Sequence, residues 1–207
     1  MIREAYWRLC ALVRHRTLQF FVSEPGAPAA PNTVDIRCGG LEHAEAAARM
    51  ATLRGHDPAE YRDRLQAGHL VVYAVAPDGS PQSWGWATAP IEGTQDAPWE
   101  FGIRMRTARG SGFLWDYFTP PDYRGRGLYK LVLRASADEC FRRGAHRAWG
   151  YADVTNAASR RGLSGAAYTD ALTIELLRLG PFCRMSRPGF QTTVRLAGFI
   201  ELDRLVS

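Results

Sequence analysis

Phe118-Thr119-Pro120-Pro121-Asp122-Tyr123-Arg124-Gly125-Arg126-Gly127-Leu128-Tyr129 is the stretch on which the reading of this chain turns. The apolar run from Gly112 to Thr119 predicts a strand that stops at two prolines, and the basic, glycine-broken turn behind them opens into a helical pattern at Leu128. Glycine lets a backbone come close to a ligand, and the first N–H groups of a helix have no partner within it. Together with the positive end of the helix dipole they make a site for phosphate. Arg124 and Arg126 add charge where a diphosphate would lie.

Downstream of the turn, Leu128, Val132, Leu133, Ser136, Ala137 and Cys140 recur at three- and four-residue spacing, which predicts one buried helical face. Asp138–Arg142 and Glu139–Arg143 are i,i+4 pairs on the other side, and Gly144 is placed to end the helix. His146 to Val154 predicts the next strand, Asn156 to about Ala167 a small-residue helix, and Ala171 to Leu179 with Phe190 to Leu196 a closing pair of strands. Upstream, Val34 to Cys38 predicts a short strand and Leu41 to Arg54 an alanine-rich helix. Asp57, Pro58 and Glu60 form the signature of a capping box opening a helix that runs to about Gln66. His69 to Ala76 and Ser83 to Ala89 form a hairpin over Pro77-Asp78-Gly79, Ile91 to Pro98 a loop, and Glu100 to Arg106 a further strand. A meander feeding one β-α-β unit is an α+β fold with a mixed sheet.

With 207 residues the chain holds one full hydrophobic core. Its 46% hydrophobic and 23% charged residues are those of a globular protein. The net charge of +5 comes mostly from scattered arginines, which suits an anionic ligand and does not make a nucleic-acid arm. Cys10, Cys38, Cys140 and Cys183 lie far apart and the histidines show no ligand spacing, so neither a metal site nor a disulfide framework is expected and a reducing, cytoplasmic setting fits. No apolar run approaches the length of a membrane span. Met1 to Val22 alternates arginine with large apolar residues, which predicts a basic amphipathic helix followed by a short strand from Leu18 to Val22, and Ser23 to Asn32 reads as a linker. The expected organisation is therefore an N-terminal segment and linker over residues 1–33, and one domain over 34–207. The segment is expected to pack on that domain or to form a homodimer contact.

Taken together, these features resemble the GCN5-related N-acetyltransferase (GNAT) superfamily. Its most diagnostic segment is a strand, then Q/R-x-x-G-x-G/A, then a helix. Here Arg124 and Gly127 hold the first two places, and Tyr129 stands where glycine or alanine is usual. Pro121-Asp122-Tyr123 is similar to the Pro-Glu-Tyr that often precedes the arginine, and Asn156-x-x-Ser159 to the opening of the next helix. The likeness covers Val34 to about Tyr168. No Walker string G-x-x-x-x-G-K-[ST] occurs, and a Rossmann turn would need glycine at Lys130.

The resemblance implies a mixed, mostly antiparallel central sheet flanked by helices, with a splayed central strand pair. It implies acetyl-CoA or another acyl-CoA as co-substrate, no metal, and direct acyl transfer to a small-molecule amine, an amino sugar or a secondary-metabolite precursor among the candidates. The co-substrate would lie on Tyr117, Phe118, Thr119, Arg124, Gly125, Arg126, Gly127, Leu128, Tyr129, Asn156 and Ser159. A backbone N–H near Tyr117 or Phe118 would polarise the carbonyl, and Asn156 would either bond the pantetheine arm or serve as a helix N-cap.

Asp116 shares a strand face with Leu114 and Phe118, so burial would raise its pKa toward that of a general base; the competing reading is an ion pair with Arg104 or Arg106. Glu100 is a second candidate, or else an exposed strand end. The family's thiol-protonating tyrosine falls at Leu163, which leaves Tyr129, Ser159 and Tyr168 as substitutes, Tyr168 with packing as its other role. Trp84, Trp86, Trp99 and Trp115 either stack on an acceptor or fill the core. Leu163 and Tyr129 also suit a second function class, a CoA-binding sensor or partner-binding protein that has lost catalysis.

Overall fold

The fold was analysed in a computed structural model, which describes residues 13–26, 34–90, 95–107 and 109–207. In chain order the strands are β1 (Val13–Ser23), β2 (Asp35–Gly39), β3 (Leu70–Val75), β4 (Pro81–Thr88), β5 (Asp96–Pro98), β6 (Arg104–Arg106), β7 (Ser111–Phe118), β8 (Arg147–Asp153), β9 (Thr169–Leu179), β10 (Phe182–Arg187), β11 (Phe190–Arg195) and β12 (Phe199–Glu201). The helices are α1 (Ala44–Arg54), α2 (Pro58–Gln66), α3 (Leu128–Arg142), α4 (Ala157–Gly165) and α5 (Leu202–Val206). Nine strands form one sheet in the order β11-β10-β9-β1-β8-β7-β4-β3-β2, and β12, β6 and β5 form a second, small sheet. The only parallel pair described in the large sheet is β7–β8. The α+β expectation holds.

Local signals account for many of the element ends. Asp57 Oδ1 accepts the Ala59 N–H at 2.9 Å with Pro58 in the first turn, a cap worth about 1 kcal/mol. Glu60 does not complete the capping box; its carboxylate turns to Arg64 at 2.5 Å. The Pro77-Asp78-Gly79 turn closes as expected, with Gly79 N–H on Ala76 O and Ala76 N–H on Ser80 O. α3 buries the face spelled out by Leu128, Val132, Leu133, Ser136, Ala137 and Cys140.

Four expectations are corrected. The helix read over Met1 to the start of the short strand falls partly outside the described residues, but Val13–Thr17 is strand, and β1 runs eleven residues. β1 is inserted between β8 and β9, so the sheet crosses the division drawn at residue 33. The exposed half of an edge-to-edge paired strand carries polar residues such as Arg14 and Arg16, which alternate as readily on a strand as on a helix. Asp96–Pro98 is strand within the expected loop, and Glu100–Gly102 is a short 3-10 turn rather than strand. Finally, β9 and β11 do not pair with each other: β10 lies between them, joined by turns at Gly180-Pro181 and Pro188-Gly189.

The core lies where α1 and α2 pack on one face of the sheet. Trp84 and Trp86 are fully buried, and Trp99 and Trp115 nearly so, which makes all four core residues rather than an acceptor platform. Among the described residues no helix is long and apolar enough to cross a membrane, and no group of three His, Cys, Asp or Glu is placed to hold a metal ion.

Candidate active site

Two defects in the sheet's regularity open the site. β7 and β8 pair in parallel only from Ser111–Arg147 to Phe113–Trp149, after which the register ends and the strands diverge. On its other side β7 carries a bulge: Trp86 pairs with Trp115 and Trp84 with Phe118, so Asp116 and Tyr117 together face the single Gly85. Asp116 absorbs the extra residue with a left-handed backbone, φ 55°. Asp116 and Tyr117 thereby fall outside the β4 register, which resumes at Phe118, while beyond Phe113 β7 has no partner on β8. This is the splayed central pair that the sequence resemblance implied.

The turn after β7 forms the outer wall. A 3-10 turn at Pro121–Tyr123 leads into Gly125 and Gly127, both left-handed at φ 75° and 76°, and Gly127 caps α3. A Cβ on Gly127 would meet nothing within 4 Å, so the hollow in front of the helix is open. The N–H groups of Leu128 and Tyr129, the first of α3, have no acceptor within the helix, and the Lys130 N–H bonds Gly127 O at 3.1 Å. The hollow continues as a cleft of about 660 Å³ lined by Tyr117, Phe118, Thr119, Tyr123, Arg124, Gly125, Gly127, Leu128, Tyr129, Lys130, Asn156, Ala158, Ser159, Arg161 and Gly162. Ten of the eleven positions expected for the co-substrate line this cleft. Arg126 does not: it is exposed, with its guanidinium 5.4 Å from the Tyr123 ring centre. Arg124 is held in place by its Nε–H on Thr119 O at 3.0 Å. Lys130 and Arg161 were missed from sequence; they border the cleft from α3 and α4, one position and two positions beyond the motif residues Tyr129 and Ser159.

Across the cleft, Asn156 caps α4 by accepting the Ser159 N–H at 3.0 Å, so the N-cap reading of Asn156 holds while its side chain still lines the wall. Tyr129 and Ser159 meet at 2.7 Å between hydroxyl oxygens. Burial raises the Tyr129 pKa and the Ser159 hydrogen bond partly offsets it, so Tyr129 holds its proton at neutral pH. Tyr168 lies elsewhere, buried, its hydroxyl donating to Leu133 O at 3.2 Å; its role is packing.

A second cavity of about 210 Å³ lies deeper in the splay. Tyr117, Tyr129, Asn156 and Ser159 wall both spaces, so the cleft and the cavity adjoin at these four side chains. Its inner lining includes Glu100, Asp116, Tyr151, Asp153, Leu163 and Arg16, the last from β1.

The Asp116 expectation is corrected in two respects. Its partners are Arg54 of α1 and Arg64 of α2, each with Nη1 at 2.5 Å from one carboxylate oxygen, and not Arg104 or Arg106, which pair with Asp96. Burial pushes the Asp116 pKa up, but the two guanidinium groups outweigh it and hold the carboxyl below its ordinary value. Arg64 is itself fixed against the faces of Tyr61, Trp86 and Trp115, 4.7 to 5.1 Å from their ring centres. A carboxylate locked in this way binds the helices to the bulge and does not take up protons near neutrality. Glu100 differs: burial is the leading influence and raises its pKa, with the Arg16 charge and the Tyr151 hydroxyl opposing. It is not the exposed strand end of the alternative reading.

The pattern of the acetyltransferase (GNAT) family matches residues 52–161, more than half of the chain. The chain belongs to that family. The match begins in α1 and ends in α4, and so contains Asp116, the cradle turn and the Tyr129–Ser159 pair but leaves β1 outside. No curated protein matches the sequence. Solved structures similar in fold include a GNAT-family acetyltransferase of Colwellia psychrerythraea (14% identity, TM-score 0.52, 84% of this chain and 59% of that one). Another is an acetyltransferase of the same family from Novosphingobium aromaticivorans (15%, 0.55, 78% and 63%). A Drosophila protein is similar at 18% identity and a TM-score of 0.56, over 87% and 56%. This chain spans about three fifths of the length of these three structures. At such identities the likeness concerns the fold.

Proposed function

We propose that this GNAT protein is an acyl-CoA-dependent N-acyltransferase, with acetyl-CoA as the simplest donor and a small-molecule amine as acceptor. The observation that carries this reading is the continuity of an open, helix-capping cradle with a smaller, polar-lined inner cavity through Tyr117, Tyr129, Asn156 and Ser159. The residues fit the donor. The turn N–H groups from Gly125 to Tyr129 suit a diphosphate, Arg124, Lys130 and Arg161 supply positive charge, and the apolar faces of Tyr117 and Leu128 suit a pantetheine arm. Bound there, acyl-CoA would supply an activated thioester.

The chain's own groups do the rest. Backbone N–H at the Asp116–Tyr117 bulge, outside the register with β4, is a donor for the thioester carbonyl. The Tyr129 hydroxyl, fed by Ser159, holds a proton for the departing sulfur. Asp116 holds the bulge. Free thiols at Cys38, Cys140 and Cys183 suit a reducing compartment, and we place the reaction in the cytoplasm.

The test has two parts. Acetyl-CoA should raise the melting temperature, and free thiol should appear when an amine panel is added. A thermal shift without thiol release on any amine would favour the CoA-sensing reading, for which buried Leu163 in the cavity wall is the supporting observation.

A further inference from the structure

Three carboxylates line the inner cavity, and two are already engaged. Asp116 is clamped by Arg54 and Arg64. Asp153 accepts from the Thr155 N–H at 2.9 Å, the Thr155 hydroxyl at 2.6 Å and Arg16 at 3.4 Å, and these bonds keep it below its ordinary pKa despite some burial. Glu100 has no ion-pair partner within 4 Å among the described residues. It sits in the turn before β6, a turn made rigid by left-handed Phe101 (φ 57°) and by the Trp99 N–H on Ile103 O at 2.9 Å. Phe20 stacks on Tyr151 at 5.7 Å between centres and meets Trp99 edge-on at 6.0 Å, so β1 steadies both neighbours of Glu100.

Resting on the acyl-transfer reading, we propose that Glu100 is the general base and that the inner cavity receives a small primary amine in its ammonium form. The ammonium gives one proton to the Glu100 carboxylate. The freed nitrogen lone pair forms the C–N bond as the C–S bond breaks. The second nitrogen proton leaves to water while the sulfur takes one from the Tyr129–Ser159 pair, so one proton per turnover is released overall. Burial raises the Glu100 pKa above its ordinary value, the direction a general base requires. The cavity of about 210 Å³ has room for a short aminoalkyl group. The charged or titratable groups facing Glu100 are Arg16 from β1, Asp116 from β7, Tyr151 and Asp153 from β8, and Cys183 from β10.

The test compares Glu100→Gln with the parent on two kinds of nucleophile: ethylamine and ethanolamine, which are protonated at pH 7.5, and hydroxylamine, which is not. The variant should keep the parental CoA thermal shift, lose alkylamine turnover by ~10²–10⁴ and lose the acid limb of the rate profile. It should acetylate hydroxylamine at the parental rate. Equal losses on both kinds of nucleophile would make Glu100 structural, and parental turnover on both would make it a bystander; either result overturns the assignment. A parent that binds CoA yet acetylates none of the three overturns the acyl-transfer reading itself, and the assignment with it. If Glu100→Gln loses the CoA shift, Glu100→Asp takes its place: a lowered alkylamine rate with the acid limb kept supports the base, and loss of the limb overturns it.

Discussion

Gly162 of α4 lies directly beneath the ring of Tyr129 of α3: a Cβ at position 162 would stand 2.2 Å from Tyr129 Cε1. The tyrosine that breaks the usual motif thus fits because a second helix omits a side chain under it. Its hydroxyl is thereby aimed at Ser159, one turn earlier on the same helix, and its ring meets Tyr117 edge-on at 5.8 Å. The departure at Tyr129 does not crowd the cradle; it builds the wall shared by the cleft and the cavity.

Gly162→Ala should push Tyr129 out of this seat. Overpacking of this kind costs about 1–3 kcal/mol, and the hydrogen bond to Ser159 should be lost with it. Tyr129→Phe keeps the ring and removes only the hydroxyl, so it should lower turnover with CoA affinity retained. Steady-state kinetics beside CoA titration checks both. Parental turnover in Tyr129→Phe would take the Tyr129–Ser159 pair out of the chemistry.

Gly127→Asp places a carboxylate in the open hollow at the start of α3. The left-handed backbone at φ 76° costs a non-glycine residue about 1 kcal/mol, less for aspartate than for most. The larger effect is repulsion of a diphosphate. The CoA-induced thermal shift should fall sharply while the unliganded melting temperature moves little, and an unchanged CoA shift would remove the cradle from the binding site.

Asp116→Asn should act on stability rather than on proton transfer. Removing one partner of a buried ion pair costs about 3 kcal/mol, here with both Arg54 and Arg64 left facing a neutral amide. Because the folded carboxyl has its pKa lowered from 3.8, its contribution is complete above that value and is lost as pH falls through the folded value. The variant's urea midpoint should therefore drop at pH 7, and the parent's advantage should shrink only below pH 4. The acid limb of the activity profile should stay where it is in the parent.

His69 sets a second acid sensitivity. Trp115 Nε1–H donates to Thr88 Oγ1 at 3.0 Å, and the Thr88 hydroxyl shares a hydrogen bond with His69 Nδ1, also at 3.0 Å. Burial, reinforced by the Arg64 charge, pushes the His69 pKa down to about 4. Stability is then complete above the unfolded value of 6.5 and is lost as pH falls toward 4. Between pH 7 and 5 the parent should lose about 2 kcal/mol. Urea titrations of the parent and of His69→Gln measure the slope, which should flatten in the variant.

What could be read from the chain was what is local. The strand, the double proline, the glycines of the turn and the period of α3 all act on near neighbours, and the cleft follows from them. Asp116 was singled out as an acid within an apolar strand, but its partners come from 62 and 52 residues earlier, on helices whose approach no spacing encodes. β10 was missed although Gly180-Pro181 and Pro188-Gly189 announce tight turns on either side, because its exposed face is polar. β1 was shortened for a related reason. Val13 to Thr17 lies at the partly exposed end of the strand, and only the β9 partners that reach it explain its conformation.

That placement alters what truncation should do. Read as a segment outside the fold, Met1–Val22 would be dispensable for CoA binding. The structure pairs β1 with β9 over Val13–Val22 and with β8 over Leu18–Ser23, with Leu18, Phe20 and Phe21 buried in the core. Deleting residues 1–22 leaves the facing edges of β8 and β9 unpaired and uncovers Tyr151 and Trp99 beside Glu100. The truncated chain should fail to give a cooperative melt, and its CoA response should vanish with the fold. Phe20→Ala is the milder probe. Deleting a buried phenylalanine costs about 3–5 kcal/mol, and loosening Tyr151 should lower amine turnover more than CoA affinity. Calorimetry and CoA titration on both proteins decide the matter: a truncated protein that melts cooperatively and still binds CoA would mean that β1 is an accessory strand, and that the cofactor cleft stands without it.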